Sequence, residues 1–161
     1  MARRSTATPS LETETGHGRD FVSVALAYAD EAIADKKGLR FCEPVRLAAK
    51  RFIGDLKRAA KRGCAFYFSP WHGNDVCDFI EKLPHVQGSW DAPTLTLEPA
   101  QIFILVNVFG FRRRSDDRRR FTRAYIEVAR KNAKSTLTAG VAIYCLTCEG
   151  ELGPEIVIGA T

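Results

Sequence analysis

The sequence lacks any apolar run long enough to cross a membrane. Its longest, Ile102 to Phe111, is broken by Asn107 and Gly110 and falls far short of the roughly 20 residues a spanning helix needs. The first twenty residues lack the apolar core of a secretory signal: Arg3 and Arg4 are basic, but no hydrophobic stretch follows them. Export is therefore unsupported and a cytoplasmic location is expected. A disulfide framework is also wanting, because the five cysteines are an odd count in a chain without export signals, which argues for reduced thiols. Nor does one sign of charge dominate. The net charge of +5 arises from 24 basic and 19 acidic residues, a balance that allows a polyanionic partner without demanding one.

What basic charge there is comes in clusters. Arg112 to Arg114 and Arg118 to Arg120 flank Ser115-Asp116-Asp117, and Lys50-Arg51, Lys57-Arg58 and Lys61-Arg62 recur along one predicted helix. Solvated surface is the ordinary use of such runs, with a phosphate-backbone contact open to the arginine loop. Cys145 and Cys148 form a C-x-x-C with no second pair at zinc-site spacing. Cys64, His72, Cys77 and His85 match no familiar ligand pattern, so core cysteines and surface histidines are expected.

Read in order, residues 1–19 contain almost no apolar side chains, too few to offset the entropy of ordering them, and predict a disordered tail. Residues 20–95 read as a helical region and its connector. Val22, Ala25, Leu26, Ala29 and Ile33 have helical spacing, which predicts a helix over Phe21 to Lys37. Pro44 to Arg62 repeats the pattern with proline in the first turn and Gly63 after a basic last turn. Phe66 to Phe68 reads as extended, Asp75 to Lys82 as a short helix stopped by Pro84, and His85 to Thr96 as a loop. Residues 96–161 form the third unit. A helix from Pro99 to about Gly110 is followed, after the arginine loop, by a predicted strand over Thr122 to Val128, a helix over Lys134 to Cys148 and a strand over Glu155 to Ile158. Strand, helix, strand predicts a right-handed βαβ unit. One such unit leaves a sheet face uncovered, so an incomplete domain is inferred.

Between the first of these strands and its helix lies Ala129-Arg130-Lys131-Asn132-Ala133-Lys134-Ser135-Thr136. It reads as a degenerate G-x-x-x-x-G-K-[ST] loop, in which backbone N–H groups and a helix N-terminus cradle nucleotide phosphates. Lys134 and Ser135 keep their places, while Val128 and Ala133 stand where the glycines belong. Taken alone, the octapeptide fits a basic loop before an ordinary helix equally well. Gln101, in the first turn of its helix, offers an amide that can both donate and accept, as an adenine edge requires.

Leu97-Glu98-Pro99-Ala100-Gln101, then Phe109-Gly110-Phe111, then the loop with Arg130 near its start are motifs in the order found in the large subunit of tailed-phage terminases. The sequence resembles that family loosely from Phe41 and closely over Leu97 to Thr161. The resemblance implies an α/β fold: an N-terminal helical region followed by the first βαβ unit of a P-loop ATPase sheet. It implies that Gln101 contacts adenine, that residues 130–136 hold ATP with Lys134 at the β/γ-phosphates, that Ser135 coordinates Mg²⁺ and that Arg130 is the catalytic arginine finger or ATP sensor. The implied whole is an ATP-driven motor with an endonuclease, acting on double-stranded DNA with a terminase small subunit, the portal protein of the prohead and further copies of itself, in the cytoplasm of a phage or prophage host. No hydrophobic run ending in the Asp-Glu pair that would activate water is read here, and the nuclease carboxylates are not present, so this chain by itself is expected to lack turnover. Two other readings stay open, a non-catalytic basic adaptor for nucleic acid or packaging partners and a helicase-like ATPase fragment.

Overall fold

The computed structural model describes residues 18–85, 92–150, 153–157 and 159. Most of the tail expected to be disordered, the middle of the connector loop and Ile158 of the last expected strand lie outside the described residues.

Helix α1 spans Phe21–Ala34. Asp20 caps it by accepting the Ser23 N–H at 3.2 Å, satisfying one of the donors that the first turn leaves open. It stops three residues before the expected end at Lys37, because the Asp35 carboxylate gathers the N–H groups of Leu39, Arg40 and Phe41 at 3.1, 2.8 and 2.9 Å. Gly38 supplies the left-handed turn, φ +67°, that brings them round. Helix α2, Glu43–Ala59, has proline in its first turn and buries Ala49, Phe52, Asp55 and Ala59, an inward stripe at three- and four-residue spacing.

Strand β1 is Phe66–Phe68, and helix α3 runs over Pro70–Glu81. The expected start of this helix was Asp75. Ser69 and Pro70 are in fact its cap and first residue: the Ser69 hydroxyl bonds His72 Nδ1 at 2.8 Å, and proline loses nothing where the N–H would have no partner. Helix α4, Pro99–Gly110, is buried on most of its circumference through Ile102, Phe103, Leu105, Val106, Asn107, Phe109 and Gly110. It forms the centre against which α1 and α3 pack. The fully buried Ala25, Ala29 and Ala32 of α1 let backbones approach closely, and Phe52 meets Phe68, Phe103 and Phe111 edge-on, with centroids 6.1, 5.6 and 5.9 Å apart.

Strand β2, Phe111–Arg113, pairs antiparallel with β1, Tyr67 opposite Arg112. Here the structure revises the arginine loop. Arg113 N–H donates to Arg118 C=O at 2.9 Å, Arg120 N–H to Phe111 C=O at 2.9 Å, and Arg112 bridges Arg119. Residues 111–120 are thus a hairpin, turned through Asp117 at φ +56°.

Helix α5 covers Lys134–Thr147. The two strands expected around it are not formed by the described residues: 122–130 and 154–157 have no regular structure. Tyr125 and Val157 are 88% and 85% exposed. A strand exists only when a neighbour takes up its N–H and C=O groups, and no such neighbour lies beside either segment among the described residues. The mixed α/β character holds in a coarser form among the described residues, five helices and a two-stranded antiparallel sheet, with the sheet built from other residues. The sequence does hold one Asp-Glu pair after an apolar run, Asp30-Glu31, but it lies inside α1 and not at a strand end. Among the described residues no helix is long and apolar enough to cross a membrane.

Candidate phosphate-binding loop

The loop before α5 has a defined turn. Lys131 and Ala133 take up left-handed backbone angles, φ +67° and +51°, and Asn132 Nδ2 donates to the carbonyls of Ala129 and Arg130 at 3.1 and 3.3 Å. Ala133 occupies the second glycine place of the sequence pattern, and its positive φ is the conformation glycine adopts without strain and L-residues avoid. Helix α5 then starts with Leu137 N–H donating to Ala133 C=O at 2.9 Å. Ala133 is its N-cap and provides no side-chain cap, so the first-turn N–H groups are offered outward at the positive end of the helix dipole. Ala129 to Thr136 are all exposed.

The far half of α5 is fixed by contacts that sequence reading did not find. Tyr144 is buried between Phe79 and Phe109, each 5.4 Å away, and donates to Asp75 Oδ2 at 2.7 Å. Burial, reinforced by that hydrogen bond, pushes its phenol pKa far up and keeps it a neutral donor. Gly140 lets α5 settle on α3, since a Cβ there would come within 3.2 Å of Ile80. Just past the helix, Glu149 accepts from Arg119 Nε at 2.7 Å and pairs with Arg112 at 3.5 Å. The helix is therefore anchored to α3 and the hairpin, with its loop end exposed. The signals present in the sequence were Tyr144 within an apolar stripe and Glu149 just after it.

Lys134 also borders a cleft of about 450 Å³ whose other walls include Ile104 and Val108 of α4, Ala124 to Ile126, and Val141. Arg130 to Thr136 run through the turn into the first residues of α5, while Gln101 has a different task. Its Oε1 accepts the Glu98 N–H at 3.0 Å in a reciprocal capping box at the head of α4, and Gln101 is not among the residues lining the Lys134 cleft. Cys77 is buried, as expected of a core thiol, and that burial raises its pKa; Cys42 and Cys148 instead are exposed.

Helix α5 thus presents a Lys-Ser pair at its head, directly behind a left-handed turn. Residues 99–161 match the family model described as terminase large subunit, ATPase domain. The matched stretch begins at the first residue of α4 and takes in the hairpin, the loop and α5. It supports a terminase large subunit fragment, whose family carries the ATPase of a packaging motor. No curated protein and no solved structure matches the chain.

Proposed function

We propose that the chain supplies the nucleotide-binding start of the ATPase in a viral DNA-packaging motor. The observation that carries this is the left-handed Ala133 immediately before Lys134 at the uncapped head of α5. Glycine-poor as it is, the loop has the backbone turn that a phosphate cradle needs, and the site joins a helix terminus to a lysine.

In this reading the N–H groups of Lys131 to Thr136 face the phosphates, and Lys134 neutralises charge at the β/γ-phosphates. Ser135, exposed in the first turn of α5, has the hydroxyl oxygen that a hard cation such as Mg²⁺ accepts as a ligand, with Thr136 beside it. Bound Mg²⁺ would supply charge neutralisation on the phosphate oxygens. Arg130, beside the turn, would stabilise charge developing at the γ-phosphate. Gln101 would contact adenine by exchanging its capping bond for the base edge. The endonuclease, the small subunit, the portal protein, double-stranded DNA and partner copies of the motor belong to the same reading.

Calorimetry with Mg²⁺ and ATP tests it in a chain extended through the full ATPase domain. Lys134→Ala should abolish binding; wild-type affinity in that variant refutes the phosphate-loop assignment.

A further inference from the structure

Four of the hairpin's six arginines and the lysines of α2 have opposite fates in the fold. Arg112 and Arg119 pair with Glu149, Arg113 with Asp116, and Arg120 with the buried Asp55. On α2 and its exit turn, Lys50, Lys57, Lys61 and Arg62 are exposed, and no ion pair among the described residues engages them. The only carboxylate between Lys50 and Arg62 is Asp55, which is fully buried. Positions 50, 54 and 57 of an α-helix share one face, so Lys50 and Lys57 flank Gly54. That glycine is not required by packing, because a Cβ built on it meets nothing within 4 Å. Glycine inside a helix is unfavourable relative to alanine, and its use here opens the helix backbone to close approach from outside.

We propose that this face of α2, Lys50 and Lys57 around Gly54 with Lys61 at the exit, tracks the phosphate backbone of a nucleic acid duplex. That the partner is double-stranded rests on the function proposed above; that it is a polyphosphate rests on the surface. Lysine is depleted at the centres of protein interfaces, and carboxylate recognition favours the arginine fork. Mobile lysine point charges at helical spacing suit phosphates, whose contacts orient without reading sequence.

The test measures fluorescence anisotropy of a labelled mixed-sequence duplex against the intact chain over a salt series. Lys50→Ala with Lys57→Ala should lower affinity and reduce the salt slope by about 1.8, which is about 0.9 for each of two phosphates that the variant no longer neutralises. Lys36→Ala with Lys37→Ala removes the same charge from the exposed α1–α2 turn and should leave the slope unchanged. Gly54→Leu keeps the charge, improves helix propensity and should weaken duplex binding severalfold by holding the backbone off. Absence of duplex binding by the wild type, equal loss in both lysine pairs, or an unchanged slope for Lys50→Ala with Lys57→Ala overturns the proposal. Lysine-dependent duplex binding alongside unaltered ATP affinity in Lys134→Ala would refute the phosphate loop and leave this surface standing; the reverse pattern refutes only the surface.

Discussion

Arg120 Nη1 donates to Asp55 Oδ2 at 2.8 Å, joining the far end of the arginine hairpin to the buried face of α2. The guanidinium lies 3.7 Å from the Phe66 ring centroid and 4.8 Å from that of Phe121, so its charge is held by a carboxylate on one side and aromatic rings on the others. Arg58 also pairs with Asp55. Truncating one member of a buried pair leaves an uncompensated charge and costs about 3–5 kcal/mol.

Arg120→Met should therefore destabilise the fold by about 3 kcal/mol, the low end because Arg58 remains. For a chain of this size that lowers the melting temperature on the order of 10 °C. Thermal unfolding followed by circular dichroism measures it, and a change under about 2 °C would show that the pair is incidental. Duplex affinity in the same variant should stay at the wild-type level once it is folded.

Gly110 sets the junction between α4 and β2. A Cβ on it would lie 2.5 Å from Phe68 Cε2, and its carbonyl accepts the Ser69 N–H at 2.7 Å. Gly110→Ala must displace the Phe68 ring from its contacts with Phe52 and Phe111, which for overpacking costs about 1–3 kcal/mol. Urea denaturation should show a lower midpoint with an unchanged slope; a midpoint equal to the wild type would mean that the ring relocates without loss.

Much of the helical body is legible in the sequence because its information is local. The stripes of α1 and α2, the proline starts of α2 and α4, and the Leu137, Val141, Tyr144 stripe of α5 each announce themselves within a few turns. What escaped is set by distant partners. Asp55 sits at a core position of α2, where Arg58 pairs with it locally and Arg120 reaches it from far along the chain; the hairpin at 111–120 arises because β1 offers an edge. Thr122 to Val128 alternates like a strand and has no strand beside it among the described residues. The loop carried its Lys-Ser pair openly, but the left-handed turn at Ala133 could not be foreseen from an alanine.

That alanine bears a strain that glycine would relieve. Ala133→Gly should stabilise the chain by up to about 1 kcal/mol, since the positive-φ penalty for an L-residue disappears while the unfolded chain gains some freedom. Ala133→Val should do the opposite, because branching at Cβ crowds a left-handed residue further. Opposite shifts in melting temperature confirm the turn; equal behaviour of both variants would contradict it.

The Asp35 carboxylate gives the α1–α2 turn a pH dependence. Hydrogen bonds from the Phe41 and Arg40 N–H groups hold its pKa below the ordinary 3.8. A group with a lowered folded pKa contributes stability that is present above 3.8 and lost as pH falls through the lower folded value. Asp35→Asn should therefore be less stable than the wild type at neutral pH, and the gap should narrow as the solution is acidified below that point. A gap that stays constant down to pH about 2 would assign the loss to geometry and not to charge.

Arg130 and Lys134 are four positions apart, both exposed, one in the loop and one at the head of α5, yet the proposed function asks them for different things. Lys134 meets phosphate charge that exists in the bound nucleotide before reaction, so Lys134→Ala should remove binding and turnover together. An arginine finger acts on charge that develops during phosphoryl transfer. In a chain extended through the complete ATPase domain, Arg130→Ala should keep ATP affinity within a small factor while turnover falls by about 10³-fold or more. The flanking turn makes this a clean comparison, because Asn132 bonds the Arg130 carbonyl and not its side chain, so truncation leaves the loop's own hydrogen bonds in place. Single-turnover kinetics separate the chemical step from product release. Equal losses of affinity and rate in both variants would make Arg130 a ground-state phosphate ligand, and an Arg130→Ala enzyme with wild-type turnover would remove it from the reaction altogether.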